Sequence, residues 1–218
     1  HDLILRKNAR SNRARVVAGY CWPWPSKTDP NAWDIEMPEF GYRRRWNLSQ
    51  DSSLWIMTPG SEEQVGCIHT CQGLEVDYIG VIIGPDLVYR DGRIVTDASK
   101  RARSDQSVKG LKKLGKEDPA RGRELADLIV KNTYRTLMTR GMKGCYVYFC
   151  DTALRDHFAS RLSPARPQTA ADSGEVARLH ASALISEPEI PSGPRIEAEV
   201  NASVKFVEFL PLYSLKAA

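Results

Sequence analysis

The 218 residues, 42% hydrophobic and 27% charged, suffice for one sizeable domain with an extension or for two small ones, and they have the balance of a chain that buries a core. A net charge of +4 and a pI near 8.8 permit a nucleic-acid partner without demanding one. No apolar run approaches the roughly 20 residues of a membrane span. The opening HDLILRKNAR lacks the basic, apolar and small-residue regions of a signal peptide, so a cytoplasmic location is expected.

In chain order, Leu3 to Asn12 reads as the end of a helix, and ARVVAGY as a short buried strand. The Pro-, Asp- and Trp-rich segment up to Leu54 predicts loops and an edge hairpin. QVGCIHT is a second strand, CQGLEVD a turn, and YIGVIIG a third strand whose continuous apolar run suits a parallel sheet covered on both faces. Tyr89 to Pro119 shows no period and reads as a long surface loop. A helix from Pro119 to about Arg140 follows, with Leu125, Leu128, Ile129, Asn132, Arg135, Thr136 and Thr139 near one stripe. CYVYFCD is a fourth strand and TALRDHFASRL a closing helix with Thr152 at its N-cap.

This alternation predicts an α/β fold with a mainly parallel sheet and flanking helices over residues 1–162. Residues 163–203, rich in Pro, Ala, Ser and Glu, read as a flexible linker with a transient helix around Glu175 to Leu184. Residues 204–218, which include VKFVEFLPLYSL, read as the start of a further, incomplete domain. The chain opens without Met, so a piece of a longer protein is expected.

Several clusters admit two readings. Cys21, Cys67, Cys71, Cys145 and Cys150 are an odd set without framework spacing, as expected in a reducing compartment. CIHTC invites a zinc or thiol role, but Cys145 and Cys150 lie in a strand-like run where their side chains take opposite faces, so buried hydrophobes and no metal is the stronger reading. Trp22, Trp24, Trp33, Trp46 and Trp55 either form a local core or stack on bases beside Arg43, Arg44 and Arg45. From Lys100 to Lys116 there are seven Lys or Arg residues against the single Asp105, either a phosphate-tracking loop or disorder.

The densest polar cluster is HTCQGLE, between two strands. His69, Thr70 and Gln72 are donors, Gly73 permits close approach, and Glu75 is an acceptor. At a strand end such a set reads as a ligand-facing edge, with Glu75 and Asp77 as mere turn caps the plainer alternative.

GCIHTCQGLEVDYIGVIIG resembles the fifth conserved motif of superfamily-one helicases, and YRTLMTRGMKGCYVYFCD resembles their sixth. With AGYCWPW, the wording is closer still to the bacterial Schlafen-type helicase-like proteins, over roughly residues 1 to 160. The resemblance implies a second RecA-like domain of the P-loop NTPase class, lacking its first strand. Arg140 then matches the arginine finger that reaches the nucleotide γ-phosphate, a task suited to a planar, permanently charged fork. Taken alone, it would read as a helix C-terminal cation. Glu75 matches the acid that accepts from the nucleotide ribose, and Gln72 with Gly73 would shape that turn. His69 and Thr70, with Thr139, match nucleic-acid contacts. Lys143 is either a further phosphate contact or a solvated side chain.

No G-x-x-x-x-G-K-[ST] occurs in the sequence. ATP with Mg²⁺ is therefore expected to be bound mainly by an upstream RecA-like domain, and this piece alone to be inactive in hydrolysis. The expected partners are that domain and DNA or RNA, single-stranded. Two functions follow: half of an ATP-dependent helicase or translocase, or a nucleotide-gated binding module that does not unwind.

Overall fold

The computed structural model describes residues 1–47, 52–71 and 73–162. The expected linker, its transient helix, the strand at 204–218 and Gln72 lie outside the described residues.

Four parallel strands in the order β4-β1-β5-β8 make the central sheet: β1 (Ala14–Ala18), β4 (Val65–Gly66), β5 (Val76–Ile83) and β8 (Gly141–Phe149). Helix α1 (Asp2–Ser11) covers one face, while α3 (Pro119–Met138) and α4 (Thr152–Leu162) cover the other. The α/β fold read from the sequence is thus present, and its architecture is compatible with a RecA-like domain.

The period-2 alternation of β5 explains the layering. Ile79, Val81 and Ile83 pack with Val130, Leu137, Met138, Leu154 and Phe158 of α3 and α4, whereas Ile82 packs with Ile4 of α1 and Val16 of β1. Gly80 is where α1 lies closest, since a Cβ there would stand 2.8 Å from Ile4 Cγ1. Arg15, fully buried in β1, is held without a carboxylate: its guanidinium donates to Asn8 Oδ1 at 2.7 Å, the Ile56 carbonyl at 2.9 Å and Ser61 Oγ at 2.9 Å. One cation therefore ties α1 and the segment before β4 to the sheet.

Four expectations change. QVGCIHT forms only the two-residue β4, because the chain turns at Cys67. The stretch from Tyr89 to Pro119 is not a loop. It overlaps a hairpin, β6 (Leu87–Arg90) and β7 (Arg93–Thr96), and contains helix α2 (Leu111–Glu117). Asp91 and Gly92 join the hairpin with φ of 50° and 75°, the two positive values a tight primed turn requires. The buried stripe of α3 is Val130, Thr133, Tyr134, Leu137 and Met138, one step round from the stripe predicted. Asp151 caps α4, accepting from the Leu154 N–H at 2.8 Å, and Thr152 is the first helical residue.

The tryptophans mostly resolve as local core. Trp46 and Trp55 are buried, and Asp34 organises their loop by accepting from Ser26 and from the Trp46 N–H at 2.8 Å. An edge hairpin of β2 (Ile35–Met37) and β3 (Tyr42–Arg44) is present as expected. Its arginines are engaged: Arg43 with Glu36 at 3.4 Å, Arg44 with Glu63 at 3.2 Å, and Arg45 with the Ala32 carbonyl at 3.1 Å. Trp33 stays partly exposed, with the Arg45 guanidinium 4.5 Å from its ring centre.

Candidate functional site

Where β4 ends, the chain makes one helical turn, the N–H groups of Thr70 and Cys71 both donating to the Cys67 carbonyl at 3.0 and 3.1 Å. The Thr70 hydroxyl closes that turn: it accepts from the Cys67 N–H at 2.9 Å and donates to the Cys67 carbonyl at 3.1 Å. Thr70 is thereby buried, and it shapes the loop rather than projecting from it. Cys67 and Cys71 are fully buried, and burial pushes both thiols up, so they pack as hydrophobes. Among the described residues, no group of three His, Cys, Asp or Glu side chains could hold a metal ion. Gly73 follows at φ 75°, a left-handed conformation that a side chain would strain.

The turn delivers Glu75 to the amino end of β5. There the Val76 N–H donates to the Arg140 carbonyl at 3.0 Å, and Val76 is in register with Gly141. Gly73, Glu75, Thr139 and Arg140 therefore share one rim, at the amino ends of β5 and β8, while His69 and Thr70 follow the carboxyl end of β4. Glu75 is exposed, and its carboxylate pairs with no described residue. Arg140 is half-buried. Its Nε donates to the Thr136 carbonyl at 3.1 Å, and its charge is felt at Cys71. No described carboxylate takes up the rest of its fork. Thr139 closes α3, its hydroxyl donating to the Thr136 carbonyl at 3.0 Å.

Lys143 is neither free nor merely solvated. Its Nζ lies 2.7 Å from Asp77, whose other oxygen meets Arg13 Nε at 3.1 Å. The Lys143 contact, then Arg13, holds the Asp77 carboxyl below its usual range. Asp77 thus clamps two strand edges and does not cap the turn.

His69 faces the other way. Its Nε2 is 3.2 Å from Asp105 Oδ1, and its ring lies edge-on to Tyr20, which follows β1. Asp105 also receives Arg101, whose Nη1 meets Asp86 at 3.1 Å. Asp86 in turn accepts from the Tyr134 hydroxyl, which itself accepts from the Gly84 N–H at 2.8 Å. Asp86, Arg101, Asp105 and Tyr134 are all buried. Burial raises the Asp86 pKa despite Tyr134 and Arg101. At Asp105 burial acts the same way, but Arg101 and Ser107 outweigh it and the pKa falls. A continuous polar chain thus runs from His69 to α3, the helix that ends two residues before Arg140.

The sequence reading missed this chain. Arg101 was counted in a stretch read as a phosphate-tracking loop or disorder, and Asp86 and Tyr134 were given no role. The available signal was Asp86 standing directly after VIIGP, at the carboxyl end of the central strand.

The fold and the two motif loops together define a helicase-like α/β domain. Residues 1–151 match the family described as Schlafen group 3, DNA/RNA helicase domain, and the chain belongs to that family. It is also similar to an uncharacterized protein of Saccharomyces cerevisiae, YPL245W, at 24% identity over 158 residues, which are 72% of this chain and 33% of that protein. The chain thus spans about a third of the length of that relative. No solved structure matches. Among the described residues, no helix is long and apolar enough to cross a membrane.

Proposed function

We propose that the chain is the second RecA-like half of an ATP-dependent DNA or RNA helicase or translocase. ATP with Mg²⁺ sits mainly on an upstream RecA-like domain, and Arg140 completes the site when the cleft closes, its fork stabilising the charge that develops on the γ-phosphate. Glu75 accepts from the ribose, while Gly73 and Gln72 set the path of that loop. Lys143 keeps the rim in place through Asp77. His69 and Thr139 meet a single nucleic-acid strand, and Thr70 holds the turn that presents His69.

One observation carries this reading: the Val76 to Arg140 backbone bond brings a carboxylate and an arginine, neither paired with a described counter-charge, onto one edge. Such a pair, open to solvent and uncommitted, is available to a ligand or a facing domain. Hydrolysis of ATP by the full-length protein, with and without single-stranded DNA and RNA, tests it. Stimulation by nucleic acid that disappears in Arg140→Ala supports the motor. Nucleotide-dependent nucleic-acid binding without hydrolysis identifies instead a gated binding module.

A further inference from the structure

Away from the motif rim, β7, α2 and α3 enclose an open groove of about 600 Å³. Its floor is aliphatic, formed by Ile94, Val95, Val108, Leu111 and Ala126. Arg93, Lys112 and Arg123 line it as well; all three are exposed, and none makes an ion pair with a described residue. The two acids in its wall are already committed. Asp97 accepts from the Ser99 N–H at 2.9 Å, and Asp127 is held by Lys131 at 2.8 Å and Thr96 at 3.0 Å. The walls are fixed by a close helix crossing, since a Cβ on Gly122 would stand 2.7 Å from Gly115 Cα.

We propose that this groove is a second nucleic-acid contact, taking the phosphodiester backbone of a single strand on Arg93, Lys112 and Arg123, with bases against the aliphatic floor. The inference rests on the nucleic-acid reading of His69 given above. Two observations join them. The groove presents three unpaired cations, Arg93, Lys112 and Arg123, against one acid without a paired cation, Asp97, and so favours a polyanion. It is also continuous with His69: Asp105 Oδ1, 3.2 Å from His69 Nε2, accepts from the Ser107 N–H at 2.9 Å and hydroxyl at 2.7 Å, and Val108 is the next residue. One buried carboxylate, Asp105, therefore braces both His69 and the segment that leads into the groove wall. A protein partner fits less well, because no aromatic side chain lines the groove to anchor one.

The test is fluorescence anisotropy of the 218-residue chain with labelled 20-nucleotide oligo(dT) and oligo(U), titrated at several salt concentrations. The triple variant Arg93→Gln, Lys112→Gln, Arg123→Gln is compared with a charge-matched control, Arg6→Gln, Arg10→Gln, Arg161→Gln, and with His69→Ala, each checked for an unchanged circular-dichroism melt. Three lost phosphate contacts at about 0.7 each should flatten the slope of log affinity on log salt by about two units, with roughly tenfold weaker binding at low salt, while the control stays near wild type. A larger loss with oligo(dT) or with oligo(U) says which strand the groove takes. Wild-type affinity in the groove triple, equal loss in the control, or no binding by the wild-type chain overturns the proposal. Loss with His69→Ala alone removes the groove and leaves the motif reading. Loss with the groove triple alone removes His69 as the motif contact.

Discussion

The N–H of Val76 donates to the carbonyl of Arg140 at 3.0 Å, so the residue after Glu75 and the arginine between α3 and β8 are locked by backbone alone. Neither side chain is spent on that lock. The Arg140 side chain bonds only the Thr136 carbonyl among the described residues, which leaves most of its fork for something else.

This separation of backbone from side chain predicts a variant that loses activity with little loss of stability. Arg140→Ala and Arg140→Lys should change unfolding free energy by no more than about 1.5 kcal/mol, the scale of the one hydrogen bond to the Thr136 carbonyl that is lost. Hydrolysis by the full-length protein should nevertheless fall by about 10³ or more in both, because a lysine keeps the charge and loses the planar fork. Urea unfolding beside steady-state hydrolysis checks the pair of outcomes. A retained rate in Arg140→Lys would show that charge alone suffices.

Tyr134 predicts the reverse, a structural loss far from the rim. Its hydroxyl accepts from the Gly84 N–H at 2.8 Å and donates to the buried Asp86 carboxylate, so Tyr134→Phe strands a donor and an acceptor together. The expected cost is about 1–3 kcal/mol. Gly19 faces the same ring, and a Cβ there would stand 2.6 Å from Tyr134 Cζ. Gly19→Ala should therefore destabilise through collision, and combining it with Tyr134→Ala should cost less than the sum of the two. Additive losses would mean that the two residues do not press on one another.

These cases also show how far the sequence could be read. The parallel strands were legible because VVA, YIGVII and CYVYF are continuous apolar runs, which only a sheet covered on both faces can bury. The stripe of α3 was misread by one step because it was anchored on Leu125, Leu128 and Ile129, which are only half-buried, whereas Thr133 and Tyr134 go inside, the tyrosine hydroxyl meeting the buried Asp86. The hairpin did leave a signal. Asp91-Gly92 between LVYR and RIVT is a primed-turn sequence, obscured by the high charge around it. Arg101 left no signal of its own, since a cation among seven gives no hint that two carboxylates from either side will enclose it. The motif rim was legible by resemblance, but its place at the amino ends of β5 and β8 depends on β4 stopping after two residues, which no local pattern announces.

Cysteine reactivity offers an independent check on that packing. Cys67, Cys71 and Cys145 are buried and burial pushes all three thiols up; Cys150 is exposed just beyond β8, but partial burial of its thiol, with Asp86 and Glu39, pushes it up to about 12 as well. Iodoacetamide should label Cys150 in the native chain slowly, and faster as pH rises, and should reach Cys67, Cys71 and Cys145 only after unfolding, as read by peptide mass spectrometry. Early labelling of Cys67 or Cys71 would mean that the motif turn opens on its own.

Asp151 predicts a pH dependence whose sign is fixed by its partners. Its carboxylate accepts from the N–H groups of Leu154 at 2.8 Å and Tyr89 at 3.1 Å and pairs with Arg90 at 2.7 Å, which ties α4 to the β6–β7 hairpin. Burial opposes its ionisation, but Arg90 and the two N–H donors outweigh burial, and the pKa lies below the usual carboxylate value. The unfolded chain, with a pKa of about 3.9, then holds the proton more tightly than the native one, so stability rises with pH across that window. The contribution is complete above about pH 5 and is lost as pH falls through the native pKa. Urea midpoints measured from pH 2 to 7 should accordingly show Asp151→Asn well below wild type at neutral pH and converging with it in acid. A gap that stays constant across that range would assign the effect to the geometry of the cap, which asparagine also alters, and not to the charge that Arg90 and the helix N-terminus are placed to meet.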